Sequence, residues 1–382
     1  MKRFRLGGSA FALALAATLL VFAAPVAHAV PRIVSQTKVT GIPGTIVAWH
    51  DTVAYVLGRN ERNAAALIQH WPKTGINASI SLGSRGIGEF LSVAPDGRTL
   101  LVHQTDSTGV HRLQTTTLPK SAPSTGEHTV LWIDQIPVTD ADPHVTWYGD
   151  SKSFLYQDIL DDPKSTPSVF RFRLGEKLPK LYLFGCSRPL VAPTADAVVC
   201  VGVDTLRPGQ TSNLESRQPV GMEDMKTGDF HWVAPLRTWV PAHSGWSPDG
   251  NRIALIGYEI DSTATATRRL YIHSRITRAN TIVELAGDDR RPDRDHSQDI
   301  AAWSPDGNWI AVGKIGPRFG EPSYPGGVWI VSKSGQASTL LVPTEGVWRG
   351  NPIWTGPKTF LIGDQEQAPG VERLYWLVEV AG

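Results

Sequence analysis

Beyond about Ala24 the sequence has no apolar run long enough to span a bilayer, which excludes a later membrane helix. It also lacks charge of one sign: 37 Lys and Arg stand against 36 Asp and Glu, a formal net charge of +1. With no global basic field to recruit nucleic acid or anionic lipid, neither is an expected partner. After the opening residues no stretch repeats its apolar positions at the helical period, so helices are not expected. A G-x-S-x-G nucleophile elbow is absent, and with it the serine-peptidase reading. An H-E-x-x-H pair is absent too, so any metal would have to be held by ligands from separate segments. Cysteine is limited to Cys186 and Cys200, which allows one disulfide at most.

What is present begins with a leader. Lys2, Arg3 and Arg5 precede an Ala- and Leu-rich run to about Ala24, followed by Ala27-His28-Ala29. Basic end, apolar middle and small-x-small site are the parts of a secretory signal, so residues 1–29 are expected to be cleaved and 30–382 to be soluble in the periplasm or outside the cell. An uncleaved anchor is the alternative. Loss of the three leader cations takes the formal charge from +1 to −2. In an oxidising compartment an even cysteine count invites a bridge. If 188–193 and 197–202 pair as a hairpin, however, Cys200 lies opposite 189 or 190 and Cys186 is about 10 Å away at strand rise. Separate buried thiols are therefore the expectation, and a disulfide the alternative.

The strongest signal is internal repetition. Trp246-Ser247-Pro248-Asp249-Gly250-Asn251-Arg252-Ile253-Ala254-Leu255 returns as Trp303-Ser304-Pro305-Asp306-Gly307-Asn308-Trp309-Ile310-Ala311-Val312. Pro-Asp-Gly is hairpin-turn chemistry and the apolar triplet after it a short buried strand, so each copy reads strand, tight turn, strand. Aligning the chain on the Trp position gives seven anchors, Trp49, Val93, Trp147, Val191, Trp246, Trp303 and Trp354, spaced 44 to 57 residues apart. Between anchors two more strands recur, as in Val328-Trp329-Ile330-Val331 and Thr339-Leu340-Leu341-Val342. Four strands per unit at this period make a β-propeller blade. Arg32-Ile33-Val34-Ser35, before the first anchor, supplies the strand that the last unit is missing. The prediction is an all-β, seven-bladed propeller closed by terminal strands sharing one blade, with six blades if one eroded copy fails.

The W-S-P-D-G-x-x-I-A pattern at 246–254 and 303–311, degraded at 93–101, resembles the TolB-like, or PD40-type (WD40-like), propeller repeat of bacterial envelope proteins. The resemblance covers nearly all of the mature chain and implies the fold. It does not imply one activity, since such propellers include periplasmic scaffolds, lids of prolyl-oligopeptidase-like peptidases and polysaccharide-acting enzymes. TolB itself has an α/β domain before its propeller, whereas here the first strand follows the leader almost at once.

Chemistry is expected at the channel mouth, rimmed by the residue three before each anchor: Ile46, Phe90, His144, Arg188, His243, Ile300 and Asn351. The charged run 288–299 leads into the sixth inner strand and carries His296, Gln298 and Asp299. His144, His243 and His296 with Asp299 could hold a divalent metal or act as acid and base; alternatively, the histidines satisfy loop backbone and the run is a solvated loop. Arg318 and Tyr324 are further contact candidates, and Asp161-Asp162-Pro163 reads as a turn. The anchor Trp residues are expected to pack blade against blade. With no catalytic motif in hand, the expected function is a monomeric binding or scaffold module for an envelope protein or glycan. The alternative is a metal-assisted lyase or hydrolase on acidic oligosaccharides, with Arg188 and Arg349 holding carboxylates.

Overall fold

The computed structural model describes residues 30–42, 44–59, 65–72, 74–81, 89–118, 126–128, 133–140, 143–159, 167–202, 220–233, 238–239, 245–260, 266–285, 301–313, 326–344, 348, 352–363 and 374–381. These residues form seven small sheets and no helix. From the centre outwards, blade 1 is Gly44–His50, Val53–Arg59, Ala65–Trp71 and Ile76–Ser81. Blade 2 is Glu89–Val93, Thr99–Thr105, His111–Thr117 and Asp134–Val138, and blade 3 is Val145–Trp147, Ser153–Ile159, Pro167–Arg173 and Lys180–Phe184. Blade 4 is Cys186–Val191, Ala197–Gly202, Val220–Asp224 and Phe230–Trp232. In blade 5 the inner strand comes in two pieces, Thr238–Trp239 and Gly245–Trp246, both paired with Arg252–Ile260; Ala266–Ser274 and Asn280–Glu284 follow. Blade 6 is Ala301–Trp303, Trp309–Gly313, Val328–Ser332 and Ser338–Leu341. The seventh runs Ile353–Trp354, Thr359–Gly363, Tyr375–Ala381 and then Arg32–Val39, so the first strand of the chain is the outermost strand of the last blade. Seven blades, not six, are built, and the terminal strands close the ring as the sequence predicts.

The second strand of each blade is buried on both faces, which is why these runs read as continuous apolar triplets rather than alternations. Ile253 and Leu255 pack with Val199, Val201 and Met222 of blade 4, while Ala254 and Ile256 on the opposite face pack with Ile310 and Val312 of blade 6. The buried apolar residues accordingly fall into seven clusters, one at each seam between neighbouring blades. Three of the five anchor Trp residues join the seams by polar contacts too. The indole N–H of Trp246 donates to Leu190 O at 3.0 Å, that of Trp303 to Gly245 O at 2.8 Å and that of Trp354 to Ala302 O at 2.9 Å, each reaching the blade before. These rings are packing elements, as expected.

The Pro-Asp-Gly turns are knit by their own side chains. Ser247 Oγ donates to Asp249 Oδ1 at 2.5 Å, Asn251 N donates to the same oxygen at 3.0 Å, and Arg252 N donates to Ser247 Oγ at 2.9 Å. Ser304, Asp306, Asn308 and Trp309 repeat the pattern. Burial pushes the Asp249 and Asp306 carboxyls up, but these donors outweigh it and hold both below the usual carboxylate range. Gly250 and Gly307, the last residues of turns closed by their own N–H groups on Ser247 O and Ser304 O, both sit at φ 68°, a left-handed conformation that glycine adopts without steric cost.

One expectation is corrected. Cys186 and Cys200 are bridged, with Cα atoms 5.9 Å apart. The pairing of Leu190 with Val199 is the register anticipated, but a bulge follows it: Arg188 and Pro189 are taken up opposite Cys200 alone, and Ser187 resumes against Val201. Cys186 then pairs with Gly202 and stands diagonally across from Cys200 on the same face, within bridging reach. Period-two counting over an unbroken hairpin overestimated the gap. Reducing the bridge, or Cys186→Ser with Cys200→Ser, is expected to cost about 3 kcal/mol for a loop of this length. Urea unfolding with and without reductant reads that loss, and a change below about 1 kcal/mol would contradict it. A second feature had no sequence signal: Gly126–His128 pairs in parallel with Ile76–Ser81, adding to blade 1 a fifth strand drawn from the segment within blade 2.

Candidate functional site

The entry ends of the inner strands define one mouth of the ring. Its described part is organised by Gln157 and Asp158, at the end of the second strand of blade 3. Gln157 N donates to His144 O at 2.9 Å, and its side-chain Oε1 accepts from Arg188 N at 2.9 Å. Its Nε2 donates to Asp140 Oδ2 at 2.5 Å. Asp158 Oδ1 accepts from Thr139 N at 2.8 Å and Asp140 N at 2.9 Å. One Gln–Asp dipeptide thus holds the segment entering blade 3 and the inner strand of blade 4 in fixed relation. Arg188 adopts φ 52° within the bulge, a backbone state that non-glycine residues adopt when the surroundings enforce it.

Bulges recur at this level in the inner strands of blade 1, between Ile46 and Ala48, and of blade 2, between Phe90 and Ser92. Each lies within a few residues of an anchor. Such bulges re-aim the side chains ahead of the strand toward a rim. Of the residues expected at the mouth, Ile46, Phe90, His144 and Arg188 are described: Ile46 is buried in the core between blades 7 and 1 and so does not rim the mouth, whereas His144 and Arg188 are half-buried and Gln157 brings their backbones together. His243, His296, Asp299, Asn351, Gln298, Ile300, Arg318, Tyr324, Arg349 and Asp161-Asp162-Pro163 lie outside the described residues. Asp140, Gln157 and Asp158 were not anticipated. Their role arises from a side chain meeting a neighbouring blade, and no motif in the sequence marks it.

On the opposite face, where the Pro-Asp-Gly turns lie, a cleft of about 350 Å³ opens at the seam of blades 4 and 5. Asp196, Asp224, Asp229, His231, Arg275 and Arg278 are among its walls. Arg275 crosses the seam, its Nη1 donating to Asp196 Oδ1 at 2.7 Å and its Nη2 to Asp224 Oδ2 at 3.2 Å. Burial pushes the Asp196 carboxyl up, but the Arg275 guanidinium and the Thr194 hydroxyl bring it below the ordinary range. His231 and His273 meet beside this cleft with their Nε2 atoms 3.3 Å apart. Burial pushes both imidazoles below the usual histidine range, His231 further by the charge that would arise on His273 and by Arg278, with Asp229 opposing, and His273 against its bond to Asn280. Among the described residues no three His, Cys, Asp or Glu side chains converge as a metal site.

No family model matches the chain, and no curated protein does. Likeness is found among solved structures. An oligogalacturonate lyase of Vibrio parahaemolyticus is similar with a TM-score of 0.58 at 12% identity, over 88% of this chain and 89% of that one. An oligogalacturonate lyase in complex with manganese gives a TM-score of 0.56 at 12% identity, over 93% and 99% of the two chains. TolB of Acinetobacter baumannii gives 0.48 at 17% identity over 78% of this chain, which spans 66% of the length of that protein. At such identities the likeness is one of fold, and the fold is the β-propeller. Among the described residues no helix is long and apolar enough to cross a membrane.

Proposed function

We propose that the chain is an exported propeller of the TolB-like repeat type that works as a binding or scaffold module, its channel mouth receiving an envelope protein or glycan. The observation that supports this reading is the Gln157–Asp158 tie, which holds the backbone at His144 and that at Arg188, contributed by two different blades, in fixed relation. A rigid ring that spends hydrogen bonds on holding its rim in place is pre-organised for recognition. The leader-like opening and the Cys186–Cys200 bridge fit export to an oxidising compartment. A second reading draws on the oligogalacturonate lyases among the similar structures, one of them with manganese: a metal-assisted lyase on acidic oligosaccharides. In it, His144 with His243 and His296 would serve the metal or move protons, and Arg188 would hold a uronate carboxylate.

Calorimetric titration of the mature chain with oligogalacturonate, with and without Mn²⁺, separates the two. Ultraviolet absorbance is followed in parallel for the unsaturated product of elimination. Saturable binding without turnover is expected, weakened about tenfold or more in Arg188→Gln through loss of a charge-assisted hydrogen bond. Turnover that needs Mn²⁺ and disappears in His144→Ala/His243→Ala would replace the binding reading with the lyase. A folded chain that neither binds nor cleaves would rule out the acidic glycan in both, leaving an envelope protein as the partner to be sought.

A further inference from the structure

The geometry points to a second, independent site: His231 and His273, facing each other across the seam of blades 4 and 5, form a two-histidine site for a borderline divalent cation such as Zn²⁺, its other coordination positions open to the adjoining cleft. The imidazoles approach through their Nε2 atoms at 3.3 Å, with ring centroids 5.5 Å apart. Two nitrogens bound to a tetrahedral Zn²⁺ at about 2.0–2.1 Å are themselves separated by about 3.3–3.4 Å. The pair therefore already stands at the spacing of two ligands, and the ion would enter from the cleft side, where His231 forms part of the wall.

The protonation state of His273 follows from its partners. Asn280 Nδ2 donates to Val233 O at 2.7 Å, which fixes the amide so that its Oδ1 faces His273. His273 Nδ1 lies 2.8 Å from that Oδ1 and so carries the hydrogen, leaving Nε2 unprotonated, where it accepts from His231 Nε2 until an ion takes the place of that hydrogen. A ring whose far nitrogen donates to a carbonyl is the usual support of a metal-binding histidine. His273 is 1% exposed, so its orientation is set by the fold and not by solvent.

Blade 1 provides an internal comparison. His70 and Asn77 pair across the corresponding strands with Nδ1 2.7 Å from Oδ1, and His70 is likewise buried. The His–Asn pair is thus a blade feature used more than once; what distinguishes blade 5 is the second imidazole, delivered by the outer strand of blade 4. Two protein ligands leave at least two positions for water or for a donor group of a bound molecule. A site of this kind fits the cleft, whose Asp196 and Asp224 are already engaged by Arg275.

Equilibrium dialysis of the full mature chain against ZnCl₂, with zinc measured by elemental mass spectrometry, tests the assignment. His231→Ala, His273→Ala, Asn280→Ala, His70→Ala and the mouth double variant His144→Ala/His243→Ala are run beside the wild type. One zinc retained by wild type, His70→Ala and the mouth variant, lost in His231→Ala and His273→Ala and weakened about 10- to 100-fold in Asn280→Ala, is the expected result. Absence of stoichiometric zinc from the wild type overturns the proposal whatever the variants do. So does retention in His231→Ala, whose imidazole lies on an outer strand and whose fold is checked by circular dichroism. Zinc lost only in the mouth variant would place the metal at the other face and also overturn it. Binding of Co²⁺ gives a second readout, a visible absorption band of four-coordinate geometry that His231→Ala removes and His70→Ala leaves. Neither result bears on glycan binding at the mouth, which is tested separately.

Discussion

A chain shortened by residues 30–40 is expected to lose cooperative folding or to persist only as aggregate. The strand Arg32–Val39 pairs with Tyr375–Ala381 through seven residue pairs, from Arg32 opposite Ala381 to Val39 opposite Tyr375. It also seals two seams: Ile33 packs against the cluster between blades 6 and 7, and Val39 against the cluster between blades 7 and 1. Gln36 accepts hydrogen bonds from Thr344 N at 3.0 Å and Thr344 Oγ1 at 2.6 Å, tying blade 7 to the segment that leaves blade 6. Without the strand, Tyr375–Ala381 becomes an edge strand with unpaired backbone, next to the apolar side chains Trp376, Val378 and Val380. Seven backbone pairs at roughly 0.5–1.5 kcal/mol per hydrogen bond, plus the lost apolar burial, approach the roughly 5–15 kcal/mol by which a domain is stable. Size-exclusion chromatography and urea unfolding of the shortened chain check this, and a peptide of residues 30–40 supplied in trans should restore part of the transition. A monomeric shortened chain with the full-length midpoint would show that the ring does not depend on this closure.

Trp348→Ala is expected to cost about 3–5 kcal/mol, the range for removing a large aromatic side chain from a core. Trp348 is fully buried in the seam of blades 6 and 7, edge-on to Phe360 with centroids 6.3 Å apart. Its backbone bridges that of Gly326, at φ 73°, where a Cβ would come 1.6 Å from Trp348 O. The backbone of Trp348 is thus held against that of Gly326, which limits how far it can move to fill the space left. Gly326→Ala should be as damaging as the Trp change, because the clash is with backbone. The Trp348 indole N–H has no partner among the described residues, so Trp348→Phe forfeits volume but no hydrogen bond and should cost clearly less than Trp348→Ala. Urea midpoints of the three variants give the order. A loss below about 1 kcal/mol for Trp348→Ala would mean that the seam repacks.

Much of this was readable in the chain because the blade is a local object. Trp246 and Trp303 each begin a hairpin whose turn is made by the next few residues, Ser247, Asp249 and Asn251 or Ser304, Asp306 and Asn308, and the hydrogen bonds that hold it stay within that span. Such information survives in the linear order of residues. Val93 and Val191 remained legible for the same reason, although they lack the Trp. The Cys186–Cys200 bridge was misjudged because a bulge changes register without changing composition: Arg188 and Pro189 look like ordinary strand residues until they are set against Cys200. Counting back from the anchors singled out His144 and Arg188 as mouth candidates. The residues that position them, Asp140, Gln157 and Asp158, could not be found this way, since their partners come from other segments.

The repeat in the sequence therefore determined the strand count per blade, the number of blades and the way the ring shuts, all consequences of turn chemistry and apolar spacing within about fifty residues. Only the tertiary structure decided what meets across the seams: the two imidazoles of His231 and His273, Arg275 between two aspartates, and Gln157 between two blades. The physical reason is that each seam joins faces of neighbouring blades, and its contacts depend on register and on the rotation between sheets. Those quantities are fixed by packing the whole ring at once, and no single repeat encodes them.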